Sequence, residues 1–205
     1  QIILLMPLYA TLVGGDLVAK EYEDGTLRMI LSRPISRVRL LLVKWAAGIV
    51  FAAVLVLVLG VTALGFAKLL FPWKGMFVFA PGMAFSVFSP GEGLARFVFA
   101  HLFLVVNATS ILSVAFMFSC FNMKPAAATI VALSYLFVNV VMESIPFFDR
   151  FDNWFITHHF RCWLLVFQNP VPWPQMLQSQ VALLSICATT FVVGCTAFYV
   201  RDIKS

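Results

Sequence analysis

The chain has 205 residues, of which 62% are hydrophobic and only 11% are charged, and its formal net charge is +5. An ordinary soluble domain is about half apolar and about a quarter charged, so this composition excludes a water-soluble fold of the usual kind. The basic residues form no recognisable nucleic-acid-binding module, so the positive charge does not indicate a nucleic-acid partner.

The first apolar block, residues 1–19, carries no charge before Asp16. It has no initiator methionine, and it lacks the basic start that a secretory signal peptide requires. We therefore expect this block to be the end of a truncated membrane span.

The segment 20–44 contains the stretch EYEDGTLRMILSRPISR and is rich in both signs of charge. Leu27, Ile30 and Leu31 recur at helical spacing and predict one short helix with a single apolar face. Gly25 permits a sharp turn before this helix, Thr26 can cap its start, and the Arg33–Pro34 pair ends it. From the pattern alone, an ordinary basic loop is the competing interpretation.

Long uncharged blocks follow, each close to the ~20 residues that a membrane-spanning helix needs. They predict complete spans at 45–67, 97–123, 125–145 and 176–200, and hence an all-α transmembrane helical bundle of about five spans. The positive-inside rule places segment 20–44 in the cytoplasm, since nine of the 14 basic residues then lie inside. These are Lys20, Arg28, Arg33, Arg37, Arg39, Lys44, Lys124, Arg201 and Lys204.

The two outer connections differ in composition. Residues 68–96 combine glycine, proline and aromatic residues, which favours an irregular or partly re-entrant segment at the membrane interface. Residues 146–175 mix aromatic and charged residues as an interfacial amphipathic helix does, and they end in Pro170, Pro172 and Pro174.

Polar side chains also occur inside the predicted spans. His101, Asn107, Thr109, Ser110 and Ser113 form a stripe at roughly helical spacing. Such groups face protein or a water-filled cavity, so hydrogen bonds between helices compete with a substrate path as the interpretation.

The next span carries Asn139 and Glu143, one turn apart near its outer end. Interfacial placement is the simpler interpretation of Glu143, the one acid near a span interior. The candidate path residues are Asn107, Ser110, Asn139 and Glu143.

Metal and catalytic chemistry have little support in the sequence. His158 and Cys162 lie one helical turn apart, with His159 beside them, but a structural metal site needs about four ligands. A chance histidine pair among interfacial aromatics is the stronger interpretation. The sequence has no P-loop and no HExxH, GxSxG or GxGxxG motif, so we expect no catalytic residue, cofactor or metal in this chain.

The segment EYEDGTLRMILSRPISRVRLLLVKW resembles the E-x-E-x-GTL-x-x-LLS-x-P-x-S/T-R-x-x-x-x-x-GK segment of export-type ABC transporter permeases, the type-2 membrane subunits. Ile30 takes the place of a leucine, and Val43 replaces the glycine before Lys44. The matching residues are Glu21, Glu23, Gly25, Thr26, Leu27, Leu31, Ser32, Pro34, Ser36, Arg37 and Lys44.

The resemblance implies a six-span permease in which this segment is a coupling helix docked on a separate ATPase. Glu21 and Glu23 would position the helix, residues 26–32 (with Arg28) would form it, and Arg33, Pro34 and Arg37 would meet or frame the ATPase. It also implies a second permease chain, identical or similar, with ATP and Mg held by the ATPase, in a bacterial cytoplasmic membrane. Two alternatives are a membrane scaffold that docks a non-ATPase protein and an intramembrane enzyme, for which the clustered carboxylates or histidines are missing.

Overall fold

A computed structural model describes residues 2–31, 36–72, 74–80 and 84–200. The α-helices of these residues are α1 (Ile2–Glu23), α2 (Thr26–Leu31), α3 (Arg37–Leu70), α4 (Pro90–Cys120), α5 (Pro125–Glu143), α6 (Ile156–His159) and α7 (Trp173–Val200). Two 3-10 helices, Pro146–Trp154 and Phe160–Phe167, flank α6, and the strands are β1 (Met76–Ala80) and β2 (Ala84–Phe88). The predicted all-α bundle is confirmed, with one small hairpin added.

Within the described residues, α3, α4, α5 and α7 are long and apolar enough to cross a membrane. Their ends differ from the uncharged blocks because helices continue into charged and polar sequence. The longest, α3, already begins at Arg37, where the Ser36 hydroxyl accepts a bond from the Arg39 N–H and caps the helix. Prolines in the first turns of α4 and α5 fit positions where no intrahelical N–H bond is lost.

The segment predicted to be irregular contains the hairpin of β1 and β2, so that prediction was wrong. The strands pair antiparallel, with Met76 opposite Phe88 and Ala80 opposite Ala84. Val78 and Phe88 pack on one side into a small apolar cluster with α4 and the second 3-10 helix, while Phe77 and Phe85 remain exposed. Side-chain alternation along each short strand therefore gives the hairpin one packed face.

The interfacial amphipathic helix predicted for 146–175 is also replaced by a different structure. Two 3-10 helices and the single turn of α6 occupy most of this range, and α7 starts before its end. The first 3-10 helix stops at Phe155, whose backbone is extended and whose N–H bonds to the Asp152 carbonyl. An extended residue cannot continue a helix, so this range is divided at Phe155 into two helical segments in place of the single predicted helix.

The bundle is organised around α4, which contacts α1, α3, α5 and α7. Buried residues of α4 such as Leu104, Ile111 and Leu112 form the centre of the main apolar cluster. At one end of the bundle, called here the α2 end, α2 lies beside the ends of these helices; the hairpin and α6 lie at the opposite end, the hairpin end.

Candidate functional site

The turn between α1 and α2 depends on a left-handed backbone. Gly25 has φ of +71°, and its N–H donates to the Tyr22 carbonyl at 3.2 Å. The Thr26 hydroxyl donates to the Glu21 carbonyl at 3.2 Å, so it bonds back to the end of α1, where the sequence predicted a cap for α2. Both bonds satisfy carbonyls that the last turn of a helix leaves unpaired, and they fix the angle at which α2 leaves α1.

Leu27 attaches α2 to the rest of the bundle. Its side chain is 1% exposed and packs in a cluster with Val18, Leu41, Phe116 and Phe198. These four residues belong to α1, α3, α4 and α7, so Leu27 joins this six-residue helix to an apolar cluster formed at the ends of four long helices. The other side of α2 carries Met29, which is 68% exposed.

Part of the predicted coupling element cannot be placed. The side chains of Arg28, Ile30 and Leu31 lie outside the described residues, as do Ser32, Arg33 and Pro34 entirely. Their proposed roles remain predictions.

An ion pair joins the helices on either side of α2. The Lys44 ammonium of α3 pairs with the Glu21 carboxylate of α1 and also donates to the Leu17 carbonyl at 2.7 Å. Glu23, predicted to act with Glu21, is exposed at the last position of α1. Arg37 donates to the Tyr199 carbonyl at 3.2 Å and so links the start of α3 to the end of α7.

The polar stripe of α4 is engaged in hydrogen bonds inside the bundle. Asn107 donates to the Phe160 carbonyl at 2.9 Å, and Ser110 donates to the Asn107 carbonyl at 2.8 Å. Ser113 accepts a 2.9 Å bond from the Trp45 indole of α3. On α5, the Asn139 amide donates to the Tyr135 carbonyl one turn earlier. These bonds join or brace helices, and a role in a substrate path stays a prediction for Asn107, Ser110 and Asn139.

Glu143 takes part in a cluster that the sequence did not reveal. Its carboxylate forms an ion pair with the Arg161 guanidinium at 3.1 Å and lies 4.0 Å from a ring nitrogen of His158. The carboxylate side chain is 10% exposed, whereas that of Arg161 is 60% exposed. Glu143 thus fastens the end of α5 to α6 and the second 3-10 helix, and its role in a path is untested.

His159 and Cys162 form hydrogen bonds with different residues. His159 bonds through one ring nitrogen to the Asn153 carbonyl and through the other to the Ser179 hydroxyl. Cys162 accepts a 2.9 Å bond from the Gln180 amide. Among the described residues, no group of three or more His, Cys, Asp or Glu side chains is arranged to hold a metal ion.

Comparison with known proteins decides the family. The sequence model of the family described as ABC-2 family transporter protein matches residues 1–148, which include α1 to α5 and the whole segment around α2. The chain belongs to the ABC-2 transporter family. No curated protein matches it.

Membership of the ABC-2 family confirms the resemblance found in the sequence. This ABC-2 protein is a multi-pass membrane transport protein, and the family has no catalytic role of its own. The Glu143 cluster lies at the opposite end from α2. Sequence reasoning missed it because the first 3-10 helix and α6 separate Glu143 from Arg161, and no local spacing relates the two residues.

Proposed function

We propose that this ABC-2 protein is the permease subunit of an ATP-driven exporter, in which a separate ATPase subunit docks on α2. ATP and Mg would be held by the ATPase, and a second permease chain, identical or similar, would complete the path through the lipid. The proposal places the α2 end in the cytoplasm and the protein in a bacterial cytoplasmic membrane.

The burial of Leu27 is the observation that supports coupling best. A displacement of α2 would be transmitted to α1, α3, α4 and α7 through the apolar cluster in which Leu27 packs, since residues near the ends of all four helices belong to it. Packed side chains move as units rather than deforming continuously, so a push on α2 would tilt these helices. A loop that only obeyed the positive-inside rule would need no such attachment.

The bonds around α2 make its connection to the bundle rigid. Gly25 and Thr26 fix its connection to α1, and the Glu21–Lys44 pair holds α1 against α3. Charge pairs with limited exposure contribute more than fully exposed ones, which hold their partners weakly. The exposed side of α2, marked by Met29, is thereby presented in one orientation.

A photocrosslinking experiment tests the docking. Met29 is replaced by the photoreactive residue benzoylphenylalanine in the full chain, expressed in its native cells and irradiated in intact membranes. We expect an adduct whose partner, identified by mass spectrometry, is a P-loop ATPase. The matched control places the same photoreactive residue at Phe66 of α3, which has a similar exposure of 65% but lies far along the span from α2.

The outcomes separate the two functions considered from the sequence. An ATPase adduct at position 29 that is absent at position 66 supports the permease. A reproducible adduct at position 29 with a protein that lacks a P-loop would instead support the membrane scaffold. Identical adduct patterns at both positions would show that α2 is not a docking element.

A further inference from the structure

A polar cavity of about 420 Å³ opens at the hairpin end, between α6, the second 3-10 helix and the first turns of α7. His158, His159, Arg161, Gln175, Gln178 and Ser179 are among the residues that line it. The cavity is distinct from the α2 end and does not depend on ATPase docking. Of the residues predicted to form a substrate path, Glu143 touches it indirectly, through its ion pair with Arg161.

The floor of the cavity is uncharged. His159 is 5% exposed, and burial lowers its pKa, although the bond to the Asn153 carbonyl opposes the shift. In the neutral ring, the nitrogen facing the Asn153 carbonyl must carry the hydrogen, and the other nitrogen then accepts from the Ser179 hydroxyl. Burial also raises the pKa of Cys162, which keeps it a neutral thiol.

The rim of the cavity is rich in hydrogen-bond donors. The guanidinium of Arg161 uses one terminal nitrogen on Glu143, which leaves further N–H groups of this five-donor fork for a ligand. Gln175 and Gln178 are exposed on the first turns of α7, and each amide offers two donors. None of the described residues that line the cavity is acidic.

These donors come from two directions around one opening, and we propose that the cavity binds a phosphate group. Arg161 would bind it from the 3-10 helix, while Gln175 and Gln178 would bind it from α7. A tetrahedral phosphate presents acceptor oxygens in several directions, which suits donors on two elements better than a planar carboxylate does. Because Glu143 offsets part of the Arg161 charge, the directional amide donors are needed as well as the guanidinium.

The phosphate has two possible sources. Trp154 directly follows the lining residue Asn153, and Trp173 lies two residues before the lining residue Gln175. Both tryptophans are exposed, and tryptophans are enriched at the level of lipid head groups. A lipid head group and a soluble phosphate compound carry the same chemistry. The test therefore uses one probe of each kind.

Phosphorus NMR on the full chain in a neutral, phosphorus-free detergent provides the readout. Inorganic phosphate and short-chain phosphatidylglycerol are titrated separately, and saturable broadening of the probe signal reports binding. We expect at least one probe to bind, and its apparent Kd to rise about 10-fold or more in Arg161→Gln, equivalent to a loss of about 1.4 kcal/mol. Binding of inorganic phosphate alone identifies a soluble ligand, and binding of the lipid alone identifies a head group.

Two further variants guard against loss of folding. Arg161→Gln leaves Glu143 without its cation, so the double variant Gln175→Ala, Gln178→Ala, which keeps that ion pair, should weaken the same probe. Arg150→Gln removes an arginine of the first 3-10 helix that does not line the cavity, and its affinity should equal that of the unmodified chain. The site is refuted if neither probe broadens saturably, or if all variants bind alike; photocrosslinking at α2 would be unaffected by either result.

Discussion

Arg96 of α4 holds its guanidinium carbon 4.3 Å from the ring centroid of Phe88 in β2. The same guanidinium donates to the carbonyls of Val166 and Gln168, at 2.7 and 2.8 Å. One side chain therefore joins α4, the hairpin and the segment before α7. It also supplies the hydrogen-bond donor that these two backbone carbonyls need.

Arg96→Lys should loosen the hairpin end. The guanidinium donates to both carbonyls through one terminal nitrogen and to Glu92 through its other two nitrogens while it lies over the Phe88 ring, and the single nitrogen of an ammonium cannot make all of these contacts. Hydrogen bonds that involve a charged group contribute about 1.5–3 kcal/mol, so we expect a loss of roughly 2 kcal/mol in stability. Thermal unfolding and limited proteolysis near the hairpin would measure it.

The control for this variant is Glu92→Gln. Glu92 pairs with Arg96 one turn away at 2.9 Å, but its side chain is 49% exposed. Exposed pairs of this spacing contribute about 0.3–0.5 kcal/mol, so the control should change stability little. Equal effects of the two variants would mean that the carbonyl bonds of Arg96 are unimportant.

The ion pair between Glu21 and Lys44 should show coupling in a double-mutant cycle. Lys44→Met removes both the pair and the bond to the Leu17 carbonyl, and we expect a loss of about 1–3 kcal/mol. Glu21→Gln removes only the pair. If the two residues interact, the double variant should lose less than the sum of the single losses, and additive losses in thermal unfolding would contradict the pairing.

Gly25 offers a test of the turn that presents α2. Gly25→Ala meets no neighbouring atom within 4 Å, so its cost would come from the backbone alone, about 1–2 kcal/mol for a left-handed residue with a Cβ. Gly65→Ala, in α3, also meets open space but has an ordinary helical backbone, and it should stabilise by about 0.5–1 kcal/mol. Thermal unfolding of the two variants should therefore shift in opposite directions, and an unchanged or raised midpoint for Gly25→Ala would show that the Gly25 conformation is not required.

The main architecture was readable from the sequence because lipid-crossing helices need long uncharged runs, and such runs have few other uses. The turn before α2 was equally readable, since Gly25 is followed directly by a short helical pattern. The sequence also contained a signal for the hairpin, in the phenylalanine and valine residues of β1 and β2, which favour strands. That signal covers only five residues in each strand, and the surrounding glycines and prolines favoured an irregular segment.

The polar contacts were not predictable, because they depend on how distant segments meet. Arg96 reaches carbonyls some 70 positions away, and Asn107 reaches Phe160 across 53 positions. Single-sequence patterns report neighbours along a helix or strand but not partners of this kind. The polar stripe of α4 was therefore visible in the sequence, while the groups that it bonds were not.

The neutral state of His159 should make the hairpin end sensitive to acid. Burial lowers the pKa of this ring below its ordinary value of 6.5, so the unfolded chain takes up a proton more readily than the folded one. Stability is then fully present above about pH 6.5 and declines as the pH falls toward the lower pKa of the folded state. Measured between pH 7.5 and 5.5, the thermal midpoint of the unmodified chain should fall more than that of His159→Gln. His158→Gln keeps the buried ring and should retain most of the acid sensitivity, so equal pH dependence in the unmodified chain and His159→Gln would show that another group controls it.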